Sequence, residues 1–561
     1  MDHLGKQVSK EGYMTWITGS GSISRRDFMK MAAAVAAGLT AQWSGLKGLA
    51  AGIESKGDLP VVVIGAGLGG LSAAALLARG GFPVTVVEQH EKAGGYATSF
   101  DRAAGKFTFD VSLHATSGTG SRLRPILEGT GILDRIETVE LPELCRIITP
   151  DHDLIWPNNA DAVIERMVRL FPDEAEGIRG FFGHMLGILD EAMVPFDHDS
   201  PQDKMAFPLT HKRMWAVRNK TLADILHDYV RDSKARGLLS IYWGYYGLPP
   251  SRLSGFYYSI ATASYLRYGG HYIKRRSQDL SDALHRAVEA AGGQVLLETE
   301  AVGVEMKGGE ITGVRLAGGK ILKAKAVISN ASVPTTMKML PGDVMPGDFL
   351  EKLKGYRPSI STFVVWLGLN REIRDRVKGY EIFVLKDYDP EKAYEAGLAC
   401  DPVHSSLGVT IYDNAYEGYS KPGTSTISII MLSGYEPWRR FEADYFSGRK
   451  DDYRQEKERI AKVLIEEAER RVIPGLSSMI EVMEAATPLT NLRYTKNPQG
   501  AIYGYEQSLG NSYMTRLDNK SPLKGLYFAS AWTNPGGGYE ACLESGARAY
   551  KALVKDWTTK G

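Results

Sequence analysis

Apolar positions along the chain change period, and each change marks an element. The stretch 59–78 is uncharged for twenty residues, enough by length alone for a membrane-spanning helix. Its glycines argue otherwise. Val61–Ile64 is an unbroken β-branched run of the kind buried on both faces of a parallel sheet, and the glycine-rich segment after it turns the chain into an alanine-rich helix over 71–79. The same patterning predicts a strand at Val84–Val87, a helix over 280–291, a strand over 294–298, a hairpin around Gly308-Gly309 and Gly318-Gly319, and a strand over 324–328. Farther on, Ser361–Leu369 and 424–431 read as strands, and 452–472 as a helix with acids and bases interspersed on its solvent face. Residues 525–531 form a last strand that runs into a triple glycine and a small-residue helix over 541–552. No repeat or low-complexity tract interrupts this order.

Gly65, Gly67 and Gly70 form G-x-G-x-x-G at a strand-to-helix turn, with Leu68 and Gly69 between them. The first glycine permits the tight turn, the second admits a pyrophosphate to the backbone, and the third lets helix pack on strand. Glu88 ends the second strand, eighteen residues beyond Gly70. Its carboxylate can accept from both ribose hydroxyls of an adenosine and would repel a 2′-phosphate, which disfavours NADP. Two further glycine clusters choose between NAD and FAD. Gly94-Gly95 follow the second strand directly, and Gly536-Gly537-Gly538 precede the last helix, where backbone N–H groups can meet an acceptor such as the N1–C2=O edge of a flavin. An extended dinucleotide touched by both ends of the chain accounts for both clusters; NAD accounts for the first alone. FAD is therefore the expected cofactor, and no metal is expected.

The chain has 561 residues, with 67 Lys+Arg against 66 Asp+Glu, a balance that excludes a polyanion binder and with it a nucleic-acid partner. Cys145, Cys400 and Cys542 lie too far apart for a redox pair or zinc knuckle. Ahead of the first strand, Ser24-Arg25-Arg26-Asp27-Phe28-Met29-Lys30 followed by a mild apolar run reads as a twin-arginine signal over 1–51. That route exports folded proteins, which suits a bulky cofactor inserted beforehand and predicts a periplasmic destination, with membrane association as an alternative.

Together with the nucleotide turn, Glu88 and Gly94-Gly95, several segments resemble the FAD-dependent phytoene desaturase, carotenoid isomerase and retinol saturase family, allied to the amine oxidases. They are Phe109-Asp110-Val111-Ser112-Leu113-His114, Ser277-Gln278-Asp279-Leu280, the segment ending Ser329-Asn330, Thr487-Pro488, Tyr503-Gly504 and Pro535-Gly536-Gly537-Gly538. The resemblance implies an α/β fold: a discontinuous Rossmann-like FAD domain (58–125, 270–335 and 490–561) with an inserted α+β substrate or cap domain (126–269 and 336–489). It implies cofactor contacts at Gly65, Gly67, Leu68, Gly69, Gly70, Glu88, Gly94, Gly95, Tyr96, Ala301, Asn330, Ala531, Gly537, Gly538, Tyr539 and Glu540. Adenine would be met by backbone near Ala301. The sequence departs from the family pattern at Tyr96, where arginine is common, and at Glu540, where apolar residues are usual.

Flavin does the redox work, so the protein need add little beyond one proton-handling group. The candidates are His114, Glu540 and Tyr539, with Arg493 as a weaker anchor for a substrate anion and Cys542 read as a small buried residue. Ten aromatic residues between Tyr242 and Tyr272, in 31 positions against 54 in the whole chain, would line an elongated apolar space or pack as ordinary core. The expected activity is desaturation or saturation of a C–C bond in a lipophilic, isoprenoid or polyene substrate. Three alternatives stand beside it: a redox-neutral carotenoid-type isomerase, an amine oxidase-like enzyme, and a lipid or pigment carrier with structural FAD. An electron acceptor such as a membrane quinone or a cytochrome would complete the cycle, with peripheral membrane contact.

Overall fold

The computed structural model describes residues 59–558, apart from 113, 122, 195, 197–199, 375, 513 and 514. The signal segment 1–51 and Leu113 thus lie outside the described residues.

Two sheets carry the molecule. The first is a five-stranded parallel sheet in the spatial order Leu526–Phe528, Ala326–Ser329, Val61–Ile64, Val84–Val87, Gln294–Leu296. Numbered along the chain this is 5-4-1-2-3, the doubly wound order whose direction reverses beside the first strand, so a crevice opens at the carboxyl ends of the first and fourth strands. Val61, Val63 and Ile328 are buried under Leu68–Arg79, Ser277–Ala290 and Tyr539–Thr558, which cover one face. The three-stranded antiparallel sheet Ala301–Lys307, Glu310–Leu316, Ile321–Lys323 contributes Val304 and Val314 to the core on the other. Sequence patterning located these elements; the helices start two to three residues earlier than predicted, with Leu68-Gly69-Gly70, Ser277-Gln278-Asp279 and Tyr539-Glu540 in their first turns.

The second sheet has seven strands, in the order Ile480–Ala486, Ser361–Leu369, Ser425–Ser433, Leu407–Ile411, Glu381–Val384, Glu143–Ile148, Asp153–Pro157. All neighbours are antiparallel except the parallel pair Glu381–Val384 with Glu143–Ile148, which joins chain segments more than 230 residues apart. Alternation assigns its faces. Ile382, Val384, Val409, Ile427 and Ile429 point to one side, where Ile460, Leu464 and Ala468 of the helix Asp451–Arg471 cover them. Glu381, Phe383 and Thr410 point to the other side, toward a helical layer that includes Ala175–Ala192 and Gly255–Tyr268.

A short hairpin, Ser99–Arg102 with Phe107–Asp110, ties the sheets together. Phe107 packs where Gly368 has no side chain, since a Cβ there would stand 2.6 Å from its ring, and Trp366 Nε1 donates to the Asp110 carbonyl at 2.7 Å. The chain leaving this hairpin is therefore laid across the polar face of the second sheet. Among the described residues, no helix is long and apolar enough to cross a membrane, and no cluster of His, Cys, Asp or Glu could hold a metal ion.

Candidate functional site

The cofactor crevice is made mostly of backbone. Helix Leu68–Arg79 begins at Gly67 with no side-chain cap and no acid in its first turn, so its leading N–H groups and positive dipole end are available to an anion. Side chains are excluded by contact. A Cβ on Gly67 would stand 2.4 Å from Asn330 Oδ1, one on Gly69 2.1 Å from the Ala529 carbonyl oxygen, and one on Gly70 2.1 Å from the Gly65 carbonyl oxygen. Gly94 lies beside Gly67 and donates to the Ala66 carbonyl at 2.7 Å, and Gly95 (φ 61°) follows, solvent-exposed. Glu88 Oε2 accepts the Ala66 N–H at 2.8 Å and Oε1 the His90 N–H at 3.0 Å, which points the carboxylate at the crevice with lone pairs to spare.

Asn330, expected as a cofactor contact, is occupied by the protein. Its Oδ1 accepts from Gly67 N–H at 3.1 Å and its Nδ2 donates to the Ala529 carbonyl, so the side chain braces the turn against the last strand. The Glu88 end is met by Thr299, whose N–H donates to the Glu88 carbonyl at 2.7 Å; left-handed Glu298 (φ 49°) turns the chain there, and Ala301 begins the next strand in the core. Ala529 closes the crevice from the far side. It lies two residues before the expected Ala531, whose carbonyl is taken by Arg516 at 2.6 Å.

Arg516 escaped sequence analysis. It is 3% exposed and donates to the carbonyls of Thr533, Asn511, Glu506, Tyr505 and Ala531, all neutral acceptors. Burial draws its pKa down to about 10. It fixes the loop that leads to the triple glycine. In that loop Gly536 (φ 138°) would drive a Cβ to 1.9 Å from Gln507 Nε2, Gly537 would meet Tyr503 at 2.9 Å, and Gly538 (φ 105°) faces open space.

The expected proton-handling residues sort by their partners. Glu540 Oε1 accepts the Ser117 N–H at 2.6 Å and the Thr116 hydroxyl at 3.3 Å, the capping alternative to a base. The Tyr539 hydroxyl bonds Ser112 Oγ at 3.2 Å and the Tyr96 carbonyl at 3.3 Å, and burial raises its pKa far above the ordinary phenol value. Tyr96 is thus engaged through its backbone as a strut. Arg493 is exposed on the last turn of the helix Pro488–Thr495 and stacks on Tyr494, so it anchors nothing inside. Burial pushes the Cys542 thiol up to about 12, leaving it inert.

His114 differs. Its Nδ1 lies 2.8 Å from Thr410 Oγ1 and 3.2 Å from Glu381 Oε2, and its ring is parallel to that of Tyr245 at 6.1 Å. Burial alone would lower the imidazole pKa; Glu381, with Asp110 adding to it, holds it above the ordinary value. Neither Glu381 nor Thr410 carried any sequence signal, because each is one polar residue in a short strand. The aromatic cluster divides in two. Tyr242, Trp243, Tyr246, Phe256 and Tyr258 are buried core, whereas Tyr245, Tyr257 and Tyr265 are half-buried; the Tyr257 hydroxyl donates to the Gly537 carbonyl and that of Tyr265 to the Ala115 carbonyl, both at 3.1 Å. Tyr272 belongs elsewhere, with its hydroxyl on the buried carboxylate of Asp110.

The family model for flavin containing amine oxidoreductases matches residues 68–553, from the helix after the nucleotide turn to the last helix. The chain belongs to that family. This flavoenzyme is an FAD-dependent oxidoreductase with a Rossmann-like cofactor domain and an α+β cap, and the twin-arginine signal model matches its residues 22–41, assigning it to that export route. It is 26% identical over 516 residues to an all-trans-retinol 13,14-reductase of Danio rerio, covering 84% of this chain and 82% of the relative. It is 26% identical to a neurosporene-forming phytoene desaturase of Rhodobacter capsulatus (86% and 92% covered) and 23% identical to a chloroplastic prolycopene isomerase of Daucus carota (90% and 81%). A solved putrescine oxidase has the same fold, with a TM-score of 0.59 at 14% identity over 89% of this chain and 99% of that one. The uncapped helix start, the side-chain-free turn and the open face at Gly538 fit FAD's pyrophosphate and ring.

Proposed function

We propose that the flavoenzyme exchanges hydrogen across a carbon–carbon bond of a lipophilic isoprenoid or polyene substrate in the periplasm. The observation that carries this is the aromatic wall of Tyr245, Tyr257 and Tyr265, which joins the triple-glycine loop to His114 and offers flat apolar rings in place of a charged amine site. Sequence relatives that share more than four-fifths of their length with this chain carry names of enzymes acting on such substrates. Bound FAD would supply hydride chemistry. The residues 65–70, Glu88, Gly94 and Gly95 would hold its nucleotide half, and Gly536–Gly538 would donate N–H groups to its ring.

The polypeptide's own part is to orient an apolar chain against the rings, exclude water, and manage one proton at His114. Glu540 and Tyr539 keep Ser112, Thr116 and Ser117 beside the loop. An exported enzyme works away from cytosolic NADH, so a membrane quinone or cytochrome is its electron partner. Met205 and Leu209, exposed one turn apart on the helix Pro201–Thr210 beside Lys204 and Lys212, favour peripheral contact with the bilayer.

Anaerobic reduction of the purified yellow protein with dithionite, followed by addition of lycopene or a quinone, tests the proposal. Flavin absorbance that returns with the polyene supports it; absorbance that returns only with an added amine's imine product, or with neither polyene nor quinone, overturns it. A product with an unchanged number of double bonds would identify an isomerase.

A further inference from the structure

One buried carboxylate has no part in the cofactor crevice. Glu381 is 2% exposed and projects from the second sheet on the face opposite Ile382 and Val384. An ionised carboxylate at that depth costs several kcal/mol unless partners hold it. Its Oε2 accepts the Thr410 hydroxyl at 2.6 Å and lies 3.2 Å from His114 Nδ1, while its Oε1 is buried with no partner among the described residues. Thr410 stands opposite Glu381 in the antiparallel register, so the pair is set by the sheet and not by a loop.

Proton counting fixes the imidazole. Thr410 has one hydroxyl proton, and it is given to Glu381. Its oxygen, 2.8 Å from Nδ1, must then accept, which places an imidazole proton on Nδ1. Nε2 is left as the working nitrogen, with no partner among the described residues. The titratable groups facing the ring are Glu381 on its own strand, Asp110 on the hairpin and Tyr245 on the helical layer, while the Tyr380 hydroxyl donates to the His114 carbonyl at 2.6 Å. Both charged members are acids.

Resting on the function proposed above, we propose that Glu381 is the positioning residue of a proton-donating His114, so that the site runs toward saturation of a polyene double bond. One carbon of the double bond takes a hydride, its neighbour takes the proton from His114 Nε2, and the π bond is replaced by two C–H bonds. His114 regains its proton from water. A quinol supplies the two electrons and one proton of that hydride, releases its second proton to the water that recharges His114, and leaves as the quinone. Desaturation would need a neutral imidazole at the same place, and a carboxylate beside Nδ1 opposes that form.

The test uses full-length, FAD-loaded protein labelled with 13C at histidine Cε1, with the His114 resonance assigned by His114→Gln. The expected result is titration above free histidine in the wild type, a fall to or below it in Glu381→Gln, and recovery of the wild-type value in Thr410→Ser but not Thr410→Val. Glu381→Gln keeps the shape; should it fail to fold, Thr410→Val against Thr410→Ser gives the same comparison. A second arm reacts dithionite-reduced enzyme with all-trans-retinol or lycopene in D2O and weighs the product. Two solvent deuterons per saturated bond, since dithionite supplies only electrons and both transferred hydrogens then come from D2O, with single-turnover rate lowered at least tenfold in Glu381→Gln and its pH profile shifted downward, support the proposal. Wild-type titration identical to Glu381→Gln overturns the role of Glu381 while leaving the polyene activity standing. A product that has lost hydrogen when oxidised enzyme is given the same polyene, with none saturated by reduced enzyme, overturns the saturating direction alone, and a polyene that neither reoxidises nor reduces the flavin overturns the function beneath it.

Discussion

The two ends of this active site are built from different materials. At the nucleotide end, Gly67, Gly69 and Gly70 leave room for backbone against backbone, and the donors are peptide N–H groups at a helix start. At the proposed substrate end stand three side chains in contact, His114, Glu381 and Thr410, brought together from a hairpin exit and two sheet strands. A site made of backbone is written as a short, local run of glycines. One made of side chains draws on distant segments, with His114 lying 296 residues from Thr410.

The largest effect that would break this comparison falls on the backbone end. Gly69→Ala puts a methyl 2.1 Å from the Ala529 carbonyl oxygen, with no flexible atom to yield. The protein should purify without flavin or fail to accumulate, read by absorbance at the flavin bands and by thermal midpoint; a yellow, stable Gly69→Ala enzyme would refute the steric account.

Arg516→Met comes next. It strands several buried carbonyls, each worth about 1–3 kcal/mol when unsatisfied, so a loss of about 3–5 kcal/mol is expected in denaturant titration. Arg516→Lys should recover only part of it, because an ammonium cannot span the carbonyls that the planar fork reaches.

Tyr257→Phe removes the hydroxyl that holds the Gly537 carbonyl at 3.1 Å and should cost about 1 kcal/mol. Faster loss of flavin on dilution, with the fold intact, would show that the aromatic wall steadies the backbone end; unchanged release would separate the two regions.

Smallest is a slope. The folded pKa of His114 lies above its unfolded value of about 6.5, so its stabilisation is complete below that pH and is lost as pH rises through the folded value. The wild-type thermal midpoint should decline with pH across this window more steeply than that of His114→Gln, since the difference between the two cancels other titrating groups.

These contrasts also explain what was legible beforehand. Gly65–Gly70, Glu88 and the triple glycine announced a doubly wound FAD fold because their spacing has one geometric use. The parallel pairing of Glu381–Val384 with Glu143–Ile148 had no such signature, since strands so distant in sequence are joined only by the folded chain. Asn330 and Glu540 were found as positions but their partners were not: whether a polar side chain faces ligand or protein depends on what stands 3 Å away. His114 was visible through its motif, Thr410 and Glu381 not at all.

The crevice closes only when its last-made pieces arrive. Ala529 seals against Gly69 from the final strand, and Gly546 of the final helix fits so closely that a Cβ would stand 2.3 Å from the Gly69 carbonyl oxygen. During synthesis the glycine turn near the start therefore waits, half-walled, until the ribosome has released almost the whole polypeptide. A product that stops short of Ala529 and Gly546 carries the anion-binding turn without the pieces that close on it. The twin-arginine signal stands at the opposite end of the chain, so the address is written first and the crevice is closed last.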